Sequence, residues 1–282
     1  MEQAVETYAG PNLPLSPGWY LDPRTRSSFS VTSASSNRAA PNDSSEKEGY
    51  THTLLFATHT DSSPDGRTDL LLGRKLRGFA KGSINGIGGK LSLCETPLEC
   101  IQRESAEEIN VHLDSEQVHF SGRVRIDVDQ GEKVCIAVYR TNLADEQRDV
   151  VRGSEEIIPL WYELTQPSIG SELPWDNMRP EHQVYLAPLL HHHISQQQQQ
   201  ERQEKTIFDV QVDFESEPKK EELAEEERPE NHRKARSWKM EVFHTLSSED
   251  KMVVLREEDD EMEHDSSGSQ ASYGTFARRD WG

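Results

Sequence analysis

One stretch of this chain dictates its local structure almost residue by residue. At Thr96-Pro97-Leu98-Glu99 a threonine suited to capping a helix is followed by a proline, whose fixed φ fits the first helical position, and by a glutamate that can reach back to the cap. Farther on, Asn110 tolerates the left-handed conformation with which helices end. The sequence therefore predicts a helix over 96–109. On it, Glu104, Glu107 and Glu108 stand at i, i+3 and i+4 and share one face. Like charges stacked this way repel, and a helix built only for stability avoids them. A hard divalent cation resolves the repulsion, because magnesium takes carboxylate oxygens and keeps sites for phosphate oxygens. Upstream, Gly88-Gly89 lets backbone approach such a cation or a polyphosphate closely. Arg103 is placed to orient a glutamate or to contact a phosphate. Glu95, at the head of the helix, can satisfy amides or pair with Arg103. A solvated charged face explains the three glutamates alone equally well.

The rest of the chain surrounds this helix with strands. Alternation and turn signals predict strands over 51–58, 69–74, 118–127, 133–141 and 157–163, and a helix over 180–192. Further strands are expected over 206–215, 237–246 and 251–256. Only 33% of the 282 residues are hydrophobic, too few to order the whole chain. One globular domain over 49–257 is expected, with a polyglutamine linker over 196–205 and a disordered acidic insertion over 215–234. A Ser-, Pro- and Asn-rich disordered arm is expected over 1–48, and a disordered acidic tail over 258–282.

Charge and cysteine content narrow the function. The formal charge is −20, from 51 acidic and 31 basic residues, which repels nucleic-acid backbones and makes duplex DNA or RNA an unsuitable partner. A bound cation inverts the sign locally, so a polyphosphate substrate stays open. Cys94, Cys100 and Cys135, odd in number and without metal-ligand spacing, fit a reducing compartment. No basic and apolar leader follows Met1, and no apolar run reaches membrane-spanning length. A cytoplasmic monomer is expected, with the nucleus as an alternative location.

The full spacing decides between the two readings of the glutamate face. Gly89, five residues, Glu95, seven residues, then Arg103-Glu104-x-x-Glu107-Glu108 resembles the Nudix box, G-x5-E-x7-R-E-U-x-E-E-x-G-U. Every charged position matches. Ser105 stands where the pattern has an aliphatic residue, and Asn110 where it has its last glycine. The segment from Leu72 through Lys90 is similar to the one preceding the box in MutT-type oxidised-purine nucleoside triphosphate hydrolases, with Ile84 in a tryptophan's place. Glu155–Tyr162, Pro174–Met178, Leu186–Leu190 and the region from Trp238 to Arg256 are also similar to theirs.

The resemblance implies an α/β/α sandwich around a mixed sheet, and a pyrophosphohydrolase that releases a nucleoside monophosphate and pyrophosphate. It implies magnesium, with manganese as an alternative, held by the Gly88 carbonyl and by Glu104, Glu107, Glu108 and Glu156. Arg103, Glu104, Glu107 and Glu108 would be the catalytic set. Thr53, Lys75, Asn85, Gly88, Gly89 and Lys90 fall on substrate-binding positions. Where those enzymes have Trp-Pro-Asp-Asp to stack on and read the base, this chain has Arg179-Pro180-Glu181-His182. Glu181 keeps one carboxylate and Arg179 offers a planar guanidinium for stacking, whereas His182 cannot replace the second carboxylate. The substrate reading is therefore an oxidised or ordinary purine nucleoside triphosphate. The alternatives are another nucleoside diphosphate-X compound, such as a dinucleoside polyphosphate or nucleotide sugar, or a non-catalytic nucleotide-binding module.

Other conspicuous residues have plainer readings. His191-His192-His193, beside the glutamines, reads as a solvated helix end rather than a metal site. His232 to Arg236 is a thin basic cluster that reads as a loop flank rather than a nuclear signal. Cys100 reads as core filler rather than a nucleophile, and Trp161 and Trp175 as core or pocket wall.

Overall fold

Leu54-Leu55-Phe56-Ala57 is apolar without alternation, the pattern of a strand covered on both faces. The computed structural model bears this out. It describes residues 3–14, 19–20, 26, 29–36, 39–43, 49–61, 66–78, 80–128, 133–164, 172–198, 206–215 and 234–244. All of them lie in the first of the two units, Met1–Thr245 and Leu246–Gly282, into which the chain divides. The strand expected over 251–256 and the tail over 258–282 fall outside the described residues.

The strands are β1 (Gln3–Gly10), β2 (Ser30–Ser36), β3 (His52–Thr60), β4 (Thr68–Lys75), β5 (Ile84–Asn85), β6 (His119–Val128), β7 (Lys133–Asn142), β8 (Ile157–Leu164), β9 (Thr206–Phe214) and β10 (Ala235–His244). They form one mixed sheet in the order β2-β1-β10-β9-β6-β7-β3-β4-β5, with β8 also pairing with β4. The β3–β7 and β6–β9 pairs are parallel, the others antiparallel. The helices are α1 (Pro97–Ile109), a short α2 (Asp145–Asp149) and α3 (His182–Gln198). Ile101 and Ile109 of α1 pack with Leu55, Ala57 and Leu71 on one side of the sheet. Val184, Leu186 and Leu190 of α3 pack with Leu54, Phe56 and Leu70 on the other. The fold is the α/β/α sandwich expected.

Three departures follow, two of them set by burial that local sequence does not report. Over 1–48, where a disordered arm is expected, β1 instead pairs with β10 and β2 pairs with β1. Val5 enters the α1-side core and Tyr8 the α3-side core, and a strand buried on both faces shows no clean alternation. The expected polyglutamine linker is partly helix, since α3 continues through Gln198. The histidine triplet, read as a solvated end, turns inward. His193 is 5% exposed with Nε2 2.8 Å from Thr58 Oγ1, and His192 Nε2 lies 2.9 Å from the Tyr20 hydroxyl.

These histidines predict acid sensitivity. Burial holds His182 and His193 neutral, pushing their pKa values down to about 4 and about 3, and His192 is lowered in the same way. An unfolded imidazole takes its proton near pH 6.5, so below that the unfolded state binds more protons than the native one. Stability is then full above pH 6.5 and falls with decreasing pH, by up to about 1.4 kcal/mol per ring per pH unit, until the native rings protonate. The urea midpoint is expected to drop steeply between pH 6.5 and 4.5; a flat midpoint over that range would show that the rings are already charged in the folded protein.

Candidate active site

The box helix is built as its caps prescribe. Thr96 accepts from Glu99 N–H at 3.3 Å while the Glu99 carboxylate accepts from Thr96 N–H at 2.8 Å. Asn110 closes the helix at φ 60°, and its side-chain amide donates to Val150 O at 3.1 Å, a bond that glycine could not make. Ser105 faces the core with its hydroxyl buried and unpartnered among the described residues, so its departure from an aliphatic residue carries a desolvation cost.

The glycines deliver backbone to the carboxylates. The segment Ile87–Lys90 runs along β3, with Thr53 N–H donating to Gly89 O at 2.9 Å and Leu55 N–H to Ile87 O at 2.7 Å. Gly88 takes φ +145°, and a side chain there would strike the Thr53 carbonyl, while one on Gly89 would fall on the Glu104 carboxylate. Only glycine fits at position 88, whereas a side chain at 89 would have to displace the Glu104 carboxylate. Gly88 N–H then donates to Glu108 Oε2 at 3.0 Å.

Arg103 organises the acids. It holds Glu95 with two bonds, Nε to Oε1 at 2.7 Å and Nη2 to Oε2 at 3.0 Å. Its Nη1 also donates to Glu104 at 2.9 Å and to Glu107 at 3.1 Å. This fork keeps the Glu95 carboxyl down at about 2. Burial dominates at Glu104, whose carboxyl is raised. At Glu108 burial, reinforced by Glu104 and Glu156, pushes the carboxyl up to about 7, against the pull of the Gly88 amide and Lys75. Glu107 is exposed.

Glu104, Glu107, Glu108 and Glu156 line one cavity of about 480 Å³, together with Arg77, Arg103, Ser154 and Glu155. The all-oxygen donor set fits a hard divalent cation. Among the described residues no three acidic, histidine or cysteine side chains already converge as a ligand cage; Arg103 takes up Glu104 and Glu107 instead. Sequence reasoning overlooked Arg77, which binds Glu156. Arg77 lies within the segment similar to the one preceding the box, directly before the Gly78 turn, and its role depends on the pairing of β4 with β8.

The remaining site residues separate into groups. Thr53 is buried beneath the glycines, its hydroxyl 3.3 Å from Cys100 Sγ. Cys100 is core, with burial raising its thiol to about 11. Lys75 is half-buried near Glu108 and Lys90 is exposed. Asn85, Arg179, Glu181 and His182 form a second cluster. His182 Nε2 lies 2.7 Å from Asn85 Oδ1 and its Nδ1 lies 3.0 Å from the Arg179 carbonyl oxygen. Arg179 Nε donates to Glu181 Oε1 at 2.6 Å, so the guanidinium caps the carboxylate instead of standing free to stack. Burial raises the Glu181 carboxyl, but Arg179, His182 and hydrogen bonding together leave it below the ordinary value. Glu181 Oε2 and the Tyr185 hydroxyl are buried without hydrogen-bond partners among the described residues.

The family model described as the NUDIX domain matches residues 61–181. An oxidized purine nucleoside triphosphate hydrolase of Mus musculus is 32% identical over 122 residues, covering 43% of this chain and 70% of its own. One of Danio rerio is 31% identical over 96 residues, covering 34% of this chain and 58% of its own. The crystal structure of a MutT/nudix family protein from Enterococcus faecalis superposes with a TM-score of 0.42 at 14% identity, covering 56% of this chain and 66% of its own. The chain belongs to the Nudix family of hydrolases.

Proposed function

We propose that this Nudix hydrolase cleaves purine nucleoside triphosphates to the monophosphate and pyrophosphate, with magnesium as its cation and manganese as a substitute. The observation that carries this is the gathering of Glu104, Glu107, Glu108 and Glu156 around one cavity, beside glycine backbone that only a small approach distance permits. A cation bound there, by these carboxylates and the Gly88 carbonyl, would neutralise phosphate charge and activate water. Glu108, oriented by the Gly88 amide, would accept the proton of the attacking water. Water adds to phosphorus, the bond to the bridging oxygen breaks, and pyrophosphate leaves. Arg103 holds Glu104 and Glu107 in register for this chemistry.

Purine preference rests on the second cluster and on the two relatives' names. Glu181 Oε2 is a buried acceptor lacking a donor among the described residues, and the N1 and exocyclic amine edge of guanine supplies two. Arg179 must swing off Glu181 to admit it. With a neutral histidine at 182, discrimination between 8-oxo-dGTP and dGTP is expected to be smaller than where two carboxylates read the base, by about 1–3 kcal/mol, or roughly 5- to 150-fold. Arg179→Trp combined with His182→Asp should raise the ratio. The measurement is kcat/KM for 8-oxo-dGTP, dGTP and dCTP in wild type and double variant. A wild type that favours dCTP, or unchanged ratios in the variant, would show that this loop does not read the base.

A further inference from the structure

Two arginines line the carboxylate cavity, and they are not equivalent. Arg103 is 32% exposed and grips Glu95, itself 12% exposed, with both arms of its fork. Arg77 is 56% exposed, and its partners Glu156 and Glu155 are 48% and 91% exposed. Its Nη2 donates to Glu156 and its Nη1 lies 3.6 Å from Glu155. The backbone fixes this meeting. Lys75 at the end of β4 is in register with Ile157 at the start of β8, and Leu76 N–H donates to Glu156 O at 2.7 Å. Arg77 and Glu156 are thus delivered to the cavity rim by adjacent strand ends.

We propose that Arg77 is an exchangeable counter-ion. It neutralises Glu156 when no divalent cation is bound, competes with that cation for the carboxylate, and once displaced donates to the polyphosphate of the substrate. The inference rests on the reading of Glu156 as a cation ligand. A half-exposed ion pair is weak because water screens it, so a doubly charged ion displaces the guanidinium. The freed fork then presents paired N–H donors that match phosphate oxygens. A polyphosphate entering a cavity with five carboxylates on its wall needs a cation facing it, and the Arg103 fork is already engaged.

Manganese serves as the probe, counted by the electron paramagnetic resonance of the free ion and without turnover. Arg77→Met is expected to bind manganese about two- to fivefold more tightly than wild type, the scale of a half-exposed pair, and Arg77→Lys about as wild type does. Affinity for a purine triphosphate with a methylene bridge in place of the scissile oxygen, measured with manganese saturating, should fall about tenfold or more in Arg77→Met. Affinity for the purine monophosphate should stay within about twofold. Weaker manganese binding in Arg77→Met would mean that Arg77 only props Glu156, and an unchanged triphosphate affinity would remove the phosphate contact; either result overturns the exchange. Glu156→Gln separates the two layers. If it weakens manganese binding while Arg77→Met fails to tighten it, the exchange alone is wrong. If Glu156→Gln leaves manganese binding unchanged, the cation assignment fails and takes the exchange with it.

Discussion

Replacing Glu108 by Gln is expected to cut turnover by roughly two to four orders of magnitude, the scale lost with a key electrostatic or proton-transfer group, while leaving the folded protein at least as stable as wild type. The two halves of this expectation have one cause. Burial and the charges of Glu104 and Glu156 push the Glu108 carboxyl up to about 7. A carboxyl whose native pKa lies above its unfolded value of about 4.3 is favoured in its protonated form by folding, so its contribution fades as pH rises from there through 7. Glutamine is isosteric with the neutral acid and keeps the acceptor for Gly88 N–H without the buried charge. In cation-free buffer at pH 8 the variant should therefore melt at or above the wild-type temperature, the gap closing below about pH 4.5. Glu107→Gln should lose turnover in the same direction, with little change in stability because the side chain is exposed. Activity within twofold of wild type for both variants would remove these glutamates from the mechanism, and a large loss of stability in Glu108→Gln would mean that the residue serves the fold.

Ending the chain at residue 200 is expected to destroy the fold, although charge and composition alone would mark residues 201–282 as a dispensable tail. β9 lies between β6 and β10 in the sheet. Its loss removes Phe208, Val210, Val212 and Phe214 from the core, and the loss of β10 removes Trp238, Met240 and Val242. At about 1.5–3 kcal/mol for each large side chain, the seven together are worth about 10–21 kcal/mol, as much as or more than the roughly 5–15 kcal/mol by which domains are stable. The cut also opens the edge of β6 to aggregation and takes away Asp209, the buried carboxylate with which Arg123 and Arg125 pair. Removing 1–45 is expected to be costly too, because Tyr8, Trp19 and Tyr20 belong to the same core. The check is solubility and circular dichroism of the 1–200 fragment; a soluble fragment with wild-type turnover would make β9 and β10 dispensable.

What could be read from the residues was what neighbours in sequence determine. The α1 helix was legible at both ends because Thr96, Pro97, Glu99 and Asn110 act through bonds to their own backbone. The glutamate face followed from helical spacing. β9 and β10 were legible from alternation, since Asp209, Gln211 and Asp213 point away from the apolar face that holds Phe208, Val210 and Val212. The misses were set by distant partners. β1 carries apolar residues to both cores, which erases the alternation by which a strand is recognised. His192 and His193 look like a polar helix end until Tyr20 and Thr58 are brought against them. Arg77 becomes a cavity residue only when β4 pairs with β8, and the capping of Glu181 by Arg179 depends on a turn whose shape their spacing does not specify.

The most direct measurement is product analysis of the full-length protein with dGTP, 8-oxo-dGTP, dCTP and a dinucleoside polyphosphate, each with magnesium and with excess chelator, tracking monophosphate, pyrophosphate and orthophosphate separately. The expected result is monophosphate and pyrophosphate in equal amounts from the purine triphosphates, little from dCTP, and none under chelation. Turnover that persists in chelator, or turnover confined to the dinucleoside polyphosphate, would contradict a cation-dependent purine nucleoside triphosphate pyrophosphohydrolase.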